Sequence, residues 1–149
     1  MKSYQIIWLI KQLHTALEQS GREVLEQYGL ISSQGLLLDY LLTQKGAVLY
    51  ATDLHLKSGI SKSAISCTLK ELRKKGYLEL TTEPADDRKK RIVLTDKARR
   101  AERQIEASLK KKQACLCREI PEPELQILEN SLRTMLANLK QESKRRNAI

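Results

Sequence analysis

The sequence predicts a mainly α-helical fold with one small β-hairpin. Three observations carry this. Apolar residues recur at steps of three and four along both ends of the chain, two short helical patterns meet at a glycine-containing turn, and two short alternating runs flank a polar loop.

The first element spans residues 3 to 28, where Ile6, Ile10, Leu13, Leu17, Val24 and Tyr28 form one apolar stripe on a long amphipathic helix. After Gly29, residues 33 to 44 place Leu36, Leu37, Leu38, Tyr40, Leu41 and Leu42 around most of a helix circumference, as expected of a central, buried helix ending near Lys45 and Gly46. A short apolar piece, residues 47 to 50, precedes Thr52, which is expected to cap a helix running to about Lys57. Ser58 and Gly59 break it. The next helix, residues 61 to 75, starts on Ser61 as its cap and buries Ile65, Leu69 and Leu72. Two helices joined by so short a turn form a helix-turn-helix. Gly76 ends the second helix.

Residues 77 to 82 and 90 to 95 read as strands, with Leu78 and Leu80 facing Ile92 and Leu94 across a polar loop, residues 83 to 89. So small a hairpin must lean on the helices. A helix over residues 96 to 119 follows, marked by Ala98, Ala101, Ile105, Leu109 and Leu116. Beyond Pro121 and Pro123, Leu125, Leu128, Leu132, Met135 and Leu139 make a heptad seam that wants a partner helix. The tail after Gln141 is expected to fray. Together these elements predict a winged helix-turn-helix at residues 31–98, flanked by assembly helices at 1–30 and 99–149, in one integrated domain.

Charge locates the partner. The chain of 149 residues has a formal net charge of +9, which favours a polyanion such as nucleic acid or an anionic lipid surface. Residues 61–100 hold twelve basic and six acidic side chains, so two thirds of the excess falls in forty residues. No apolar run is long enough to span a membrane and no secretory leader pattern opens the chain, so a cytoplasmic location without a membrane partner is expected. Three cysteines without framework spacing suit a reducing compartment.

With Ile65, Leu69 and Leu72 inward, a turn of 100° per residue places Ser63, Ser66, Cys67, Lys70 and Lys74 on the opposite face, flanked by Lys62 and Arg73. Small hydroxylic side chains allow close approach to base edges in the major groove, and Lys and Arg at the margins neutralise phosphates. At the hairpin, Arg88, Lys89, Lys90 and Arg91 are placed for a wing to offer arginine to the minor groove, with Asp86 positioned to hold the Arg88 guanidinium. An isolated Lys-rich helix or a charged turn is more often a solvated surface. Their adjacency tips the balance toward DNA.

The run from Ser61 to Gly76 ahead of Tyr77-Leu78, followed by Asp86-Asp87-Arg88-Lys89-Lys90-Arg91-Ile92-Val93-Leu94-Thr95, resembles the MarR family in its recognition helix, its D-x-R wing and its L-T signature. The similarity in element order covers nearly the whole chain. The resemblance implies a homodimer formed by the first and last two helices that reads a palindromic operator, usually as a repressor. It assigns base contacts to Ser61, Lys62, Ser63, Ser66, Cys67 and Lys70, and the minor groove to Arg88. It also implies a small-molecule effector crevice near Leu13, Leu17 and Leu37, or control by oxidation, although no ligand signature is legible. Two positions depart from the family pattern: His55 stands where a small alanine is usual, and Ala98 where glycine is common after L-T.

Other chemistry finds little support. Cys115 and Cys117 lie about 200° apart on a helix, too divergent to share a metal with standard geometry. Oxidation of Cys67 would block docking, though a passive contact is the simpler expectation. His14 and His55 lack a nucleophile or carboxylate at motif spacing, so no enzyme and no cofactor are predicted. Tyr4 and Trp8 read as packing residues. The competing function is a helical scaffold or adaptor that assembles through its terminal heptads.

Overall fold

A computed structural model describes residues 3–20 and 25–149. The chain divides into two compact units, Met1–Lys112 and Gln113–Ile149.

In the first unit, α1 runs over Gln5–Gln19, shorter than the sequence pattern suggests. Ser20 leaves the helix at ψ 103° while its N–H closes the last turn onto the Ala16 carbonyl. Val24 lies outside the described residues, and Tyr28 belongs to a separate 3-10 turn, Glu26–Tyr28. The stripe that looked continuous therefore serves two elements. Tyr4 and Trp8, expected to pack, are 52% and 57% exposed among the described residues.

The central helix, α2 (Ser32–Thr43), is buried along Leu37, Leu38, Leu41 and Leu42, with Leu36 exposed. Its start is fixed by Gln34, whose Oε1 accepts the Ile31 N–H at 3.2 Å and the Lys75 ammonium at 2.6 Å. Gly35 is buried where an added Cβ would meet Leu25 Cδ1 at 3.0 Å, so the helix can pack this closely only without a side chain there.

Leu49–Tyr50 form a strand, β1, that runs directly into α3 (Ala51–Ser58). Thr52 therefore falls inside the first turn, and Tyr50 in extended conformation is the cap residue, without a side-chain hydrogen bond. Gly59, at φ 75°, turns the chain and donates to the His55 carbonyl. Helix α4 (Lys62–Lys74) starts where Ser61 accepts the Ala64 N–H at 3.3 Å.

Strands β2 (Leu78–Glu83) and β3 (Asp86–Leu94) complete a three-stranded antiparallel sheet in the order β1-β3-β2. Leu78 pairs with Leu94 and Leu80 with Ile92, the register expected from alternation. The third strand was missed because two residues carry no period; Leu49 opposite Ile92 and Tyr50 opposite Arg91 supply it. The core joins Leu25, Leu30 and the inner face of α2 to Leu54, Ile65, Leu69, Leu72, Tyr77, Leu78 and Ile92. Ala98, Ala101 and Ile105 enter it from α5 (Asp96–Leu116). A glycine's absence at Ala98 thus coincides with full burial of its methyl group.

In the second unit, Glu119 adopts φ 65° in the turn after α5, and α6 spans Glu122–Asn147 behind Pro121. The helix continues through the expected tail, with Lys144, Arg145 and Arg146 in its last turn, where cations complement the helix dipole. Leu128, Leu132 and Leu139 of the seam are exposed, as are Ile127 and Leu136, while Leu125 and Met135 are half-buried.

Candidate nucleic-acid interface

Helix α4 buries Ile65, Leu69 and Leu72, and the rotation this imposes exposes Lys62, Ser63, Ser66, Cys67, Lys70, Arg73 and Lys74. Its N-cap Ser61 holds the first turn through its hydroxyl, which also lies 3.4 Å from the Ser63 hydroxyl. Lys74 is drawn to Glu71 on the same helix at 3.4 Å, which leaves Lys62, Lys70 and Arg73 as its cations without an ion pair among the described residues.

The far end of α4 is fastened by a set of polar contacts. Lys75 reaches Gln34, Thr95 Oγ1 donates to the Gly76 carbonyl at 2.6 Å, and Lys97 donates to the Lys75 carbonyl at 2.6 Å. Tyr77, fully buried, donates its hydroxyl to the Tyr28 carbonyl at 2.5 Å, and the Lys97 ammonium lies 4.5 Å from the centre of its ring. Burial, and then the neighbouring Tyr28, push the Tyr77 phenol above the usual tyrosine range. The helix orientation is thus set at both ends.

The hairpin is tighter than the polar loop implied. Glu83 pairs with Asp86 across Pro84-Ala85, whereas Thr82 pairs with Lys90, so Asp87, Arg88 and Lys89 bulge from β3. Asp86 shapes this bulge by accepting the Arg88 backbone N–H on Oδ1 at 3.0 Å. That corrects the expected contact to the guanidinium: among the described residues Asp86 makes no ion pair with Arg88. A carboxylate two residues upstream reaches the amide first, as in an Asx turn.

The fold separates the basic run of the wing. Arg88 and Lys90 meet Lys62, Ser66, Lys70 and Arg73 around a cleft of about 360 Å³ floored by Ile65, Leu69 and Leu80. Lys89 instead lies with its ammonium 5.2 Å from the centre of the Tyr50 ring, and Tyr50 donates its hydroxyl to Glu83 Oε1 at 3.1 Å. That bond to Glu83 raises the Tyr50 phenol above its usual range. Arg91 lines a second cleft of about 530 Å³ with Leu41, Val48, Ile92, Arg99 and Glu102. Lys89 and Arg91 are therefore not brought to the α4 cleft.

Thr52 and His55 of α3 line the α4 cleft and were not singled out for DNA from the sequence. Their spacing of three on one helix was the available signal, and only the α3 to α4 crossing gives it meaning. Of the residues marked for an effector crevice, Leu37 is in the core at 2% exposed and Leu13 is exposed on α1. The Leu17 carbonyl is occupied by the Lys112 ammonium, 3.2 Å away, which also bonds the Ser32 hydroxyl. Cys67, Cys115 and Cys117 are free thiols. No helix among the described residues is long and apolar enough to cross a membrane.

A family model described as MarR family matches residues 28–89. No curated protein matches the chain. Among solved structures, the chain is similar to the Staphylococcus aureus MepR–DNA complex at 22% identity and TM-score 0.80, over 90% of this chain and 97% of that one. It is also similar to a MarR transcriptional regulator from Methanosarcina mazei Go1 at 22% identity and TM-score 0.77, over 93% and 99% of the two chains. A MarR protein from Peptoclostridium difficile gives 18% identity and TM-score 0.81, over 95% and 91%. The MarR family model thus matches the helix-turn-helix and most of the hairpin, and over nine tenths of the sequence the chain has the winged helix-turn-helix fold of these solved structures.

Proposed function

We propose that the protein binds double-stranded DNA as a homodimer on a palindromic operator, acting as a repressor, with α4 in the major groove and Arg88 at the adjacent minor groove. The observation that carries this is the α4 cleft. Lys62, Lys70, Arg73, Arg88 and Lys90 converge there from two elements, and no carboxylate lines it among the described residues. Five cations held together without counter-charges repel one another, and a run of phosphates relieves that repulsion. Between Lys62 and Lys70 the exposed face of α4 carries the hydroxyls of Ser63 and Ser66 and the thiol of Cys67, small groups that allow close approach to base edges. The MepR structure similar to this chain is of a DNA complex, which supports the same use of the fold.

Dimerisation is supported by the exposed apolar residues of two helices: Ile6, Trp8, Ile10 and Leu13 on α1, and Leu128, Leu132 and Leu139 on α6. Leaving so many large side chains in water is costly, and a second copy offers matching surface. Residues 1–30 and 99–149 would then serve assembly, 31–98 would read DNA, and a small ligand or oxidation that changes the spacing of the two readers would release the operator. A cytoplasmic location accords with this role.

The test is the salt dependence of duplex binding by the purified protein. Each phosphate neutralised contributes a slope of roughly −0.9 in log affinity against log salt, so a pair of such clefts gives a steep line. Affinity that barely changes with salt refutes the proposal. Genomic footprinting then reports whether protected half-sites are symmetric.

A further inference from the structure

His55 enters the basic cleft from α3, and the proposed function makes no use of it. Its Nδ1 lies 3.0 Å from the Thr52 carbonyl oxygen, which can only accept, so Nδ1 carries the hydrogen and donates. Nε2 is left to meet a partner. The charged groups that line the cleft around the ring are Lys62, Lys70 and Arg73 from α4 and Arg88 and Lys90 from β3. On α3 itself Asp53 and Lys57 flank it in sequence, and β1 offers only Leu49 and Tyr50.

His55 is the one histidine among the residues that line that cleft, and imidazole is the side-chain type that can take up a proton to become a hydrogen-bond donor on both nitrogens. A neutral ring with hydrogen on Nδ1 presents a lone pair at Nε2 and repels a phosphate oxygen. The imidazolium donates to it. The first helix of a helix-turn-helix crosses the DNA backbone while the second enters the groove, so an α3 side chain facing this cleft meets phosphate rather than a base edge.

We propose that His55 is a proton-linked contact to the DNA backbone. On binding, the ring takes up one proton from solvent, Nε2–H donates to a phosphate oxygen, and the imidazolium joins the five permanent cations. This rests on the cleft being the DNA interface. The phosphate favours the charged ring, so protonation is easier in the complex than in the free protein, and affinity rises as pH falls through the histidine range. The limit is about tenfold per pH unit for each histidine engaged. Because the contact is to the backbone, it acts on any sequence, and the protein would hold DNA more tightly as its surroundings acidify.

The experiment measures binding of a fluorescent mixed-sequence duplex by wild type, His55→Ala and His14→Ala at constant ionic strength, at about pH 6 and about pH 8. Wild type and His14→Ala should bind about fivefold or more tightly at the lower pH than at the higher, and His55→Ala should lose that gain. The salt slope of wild type should steepen on acidification, and that of His55→Ala should not. A flat wild-type profile, or a His55→Ala protein that keeps the gain, overturns the His55 assignment alone. Wild type that shows no salt-dependent binding at either pH overturns the DNA reading itself. Should His55→Ala fail to fold, the His55 ring proton followed by NMR in wild type, with and without duplex, decides the same point: a titration that does not move to higher pH on binding refutes it.

Discussion

Replacing Tyr77 by Phe removes one atom from the junction that fixes the far end of α4. The ring is fully buried, and its hydroxyl donates to the Tyr28 carbonyl at 2.5 Å. The Lys97 ammonium keeps its place over the ring in the variant, so packing and the cation–π contact are preserved. What is lost is one hydrogen bond, and a partly buried carbonyl is left without it. That costs about 1–3 kcal/mol. With a urea slope of about 2 kcal/mol per molar, the unfolding midpoint should fall by roughly 0.5–1.5 M at matched protein concentration, with the slope unchanged. A second measurement uses the raised phenol pKa. In the native state the phenol ionises above its ordinary value of about 10, so its stabilisation is complete below pH 10 and is lost as pH rises through the folded value. Wild type should therefore lose stability at alkaline pH more steeply than Tyr77→Phe, and the two curves should converge there. Equal midpoints at neutral pH together with parallel alkaline limbs would refute the role assigned to this hydroxyl.

Ser61→Ala removes the cap of α4 and should cost about 1 kcal/mol, read as a lower urea midpoint; an unchanged midpoint contradicts the 3.3 Å bond to Ala64. Arg88→Ala should weaken duplex binding and lower the salt slope by about one for each wing while helix content stays the same, because the side chain is exposed on a bulge; unaltered affinity removes the wing from the interface. Truncation after Arg118 deletes α6 and should abolish the dimer, and with it the gain from paired half-sites; a truncated dimer seen in sedimentation contradicts the assembly role. Asp39 is pushed above the carboxylate range first by burial and then by Glu106 and Glu102, against Lys110. Its charged form is thus the less stable one in the fold, so Asp39→Asn should raise the urea midpoint at neutral pH and lose that advantage as pH falls through the raised folded value, with none left below about 4.

The parts of this fold that announce themselves in sequence are those in which local chemistry and tertiary packing agree. Ser61 caps α4, the spacing of Ile65, Leu69 and Leu72 turns its basic face outward, and Leu78 and Leu80 select their partners on β3. Features decided by long-range contact are silent. Leu49 and Tyr50 are a strand only because Ile92 and Arg91 lie opposite. The apolar stripe of α1 continues in register past the point where Ser20 leaves the helix. The site follows the same division. The exposed face of α4 was legible, but the wing residues were read as one charged run, and the bulge at residues 87–89 sends Arg88 and Lys90 to the cleft and Lys89 to Tyr50. His55 looked like a departure from pattern and lies at the cleft wall.

The order β1-β3-β2 gives the wing the mechanics of a cantilever. At its root Arg91 is matched by Tyr50 on one side and Thr81 on the other, and Ile92 by Leu49 and Leu80, so the beam is clamped along both edges. Past Lys90 the clamp ends, and at the tip the side chains of Pro84 and Ala85 are exposed. Amide exchange should be slow at the root and fast at the tip. A substitution near the tip then alters what the wing touches without loosening what holds it, so this is where descendants of the sequence can change their contacts at little cost to folding.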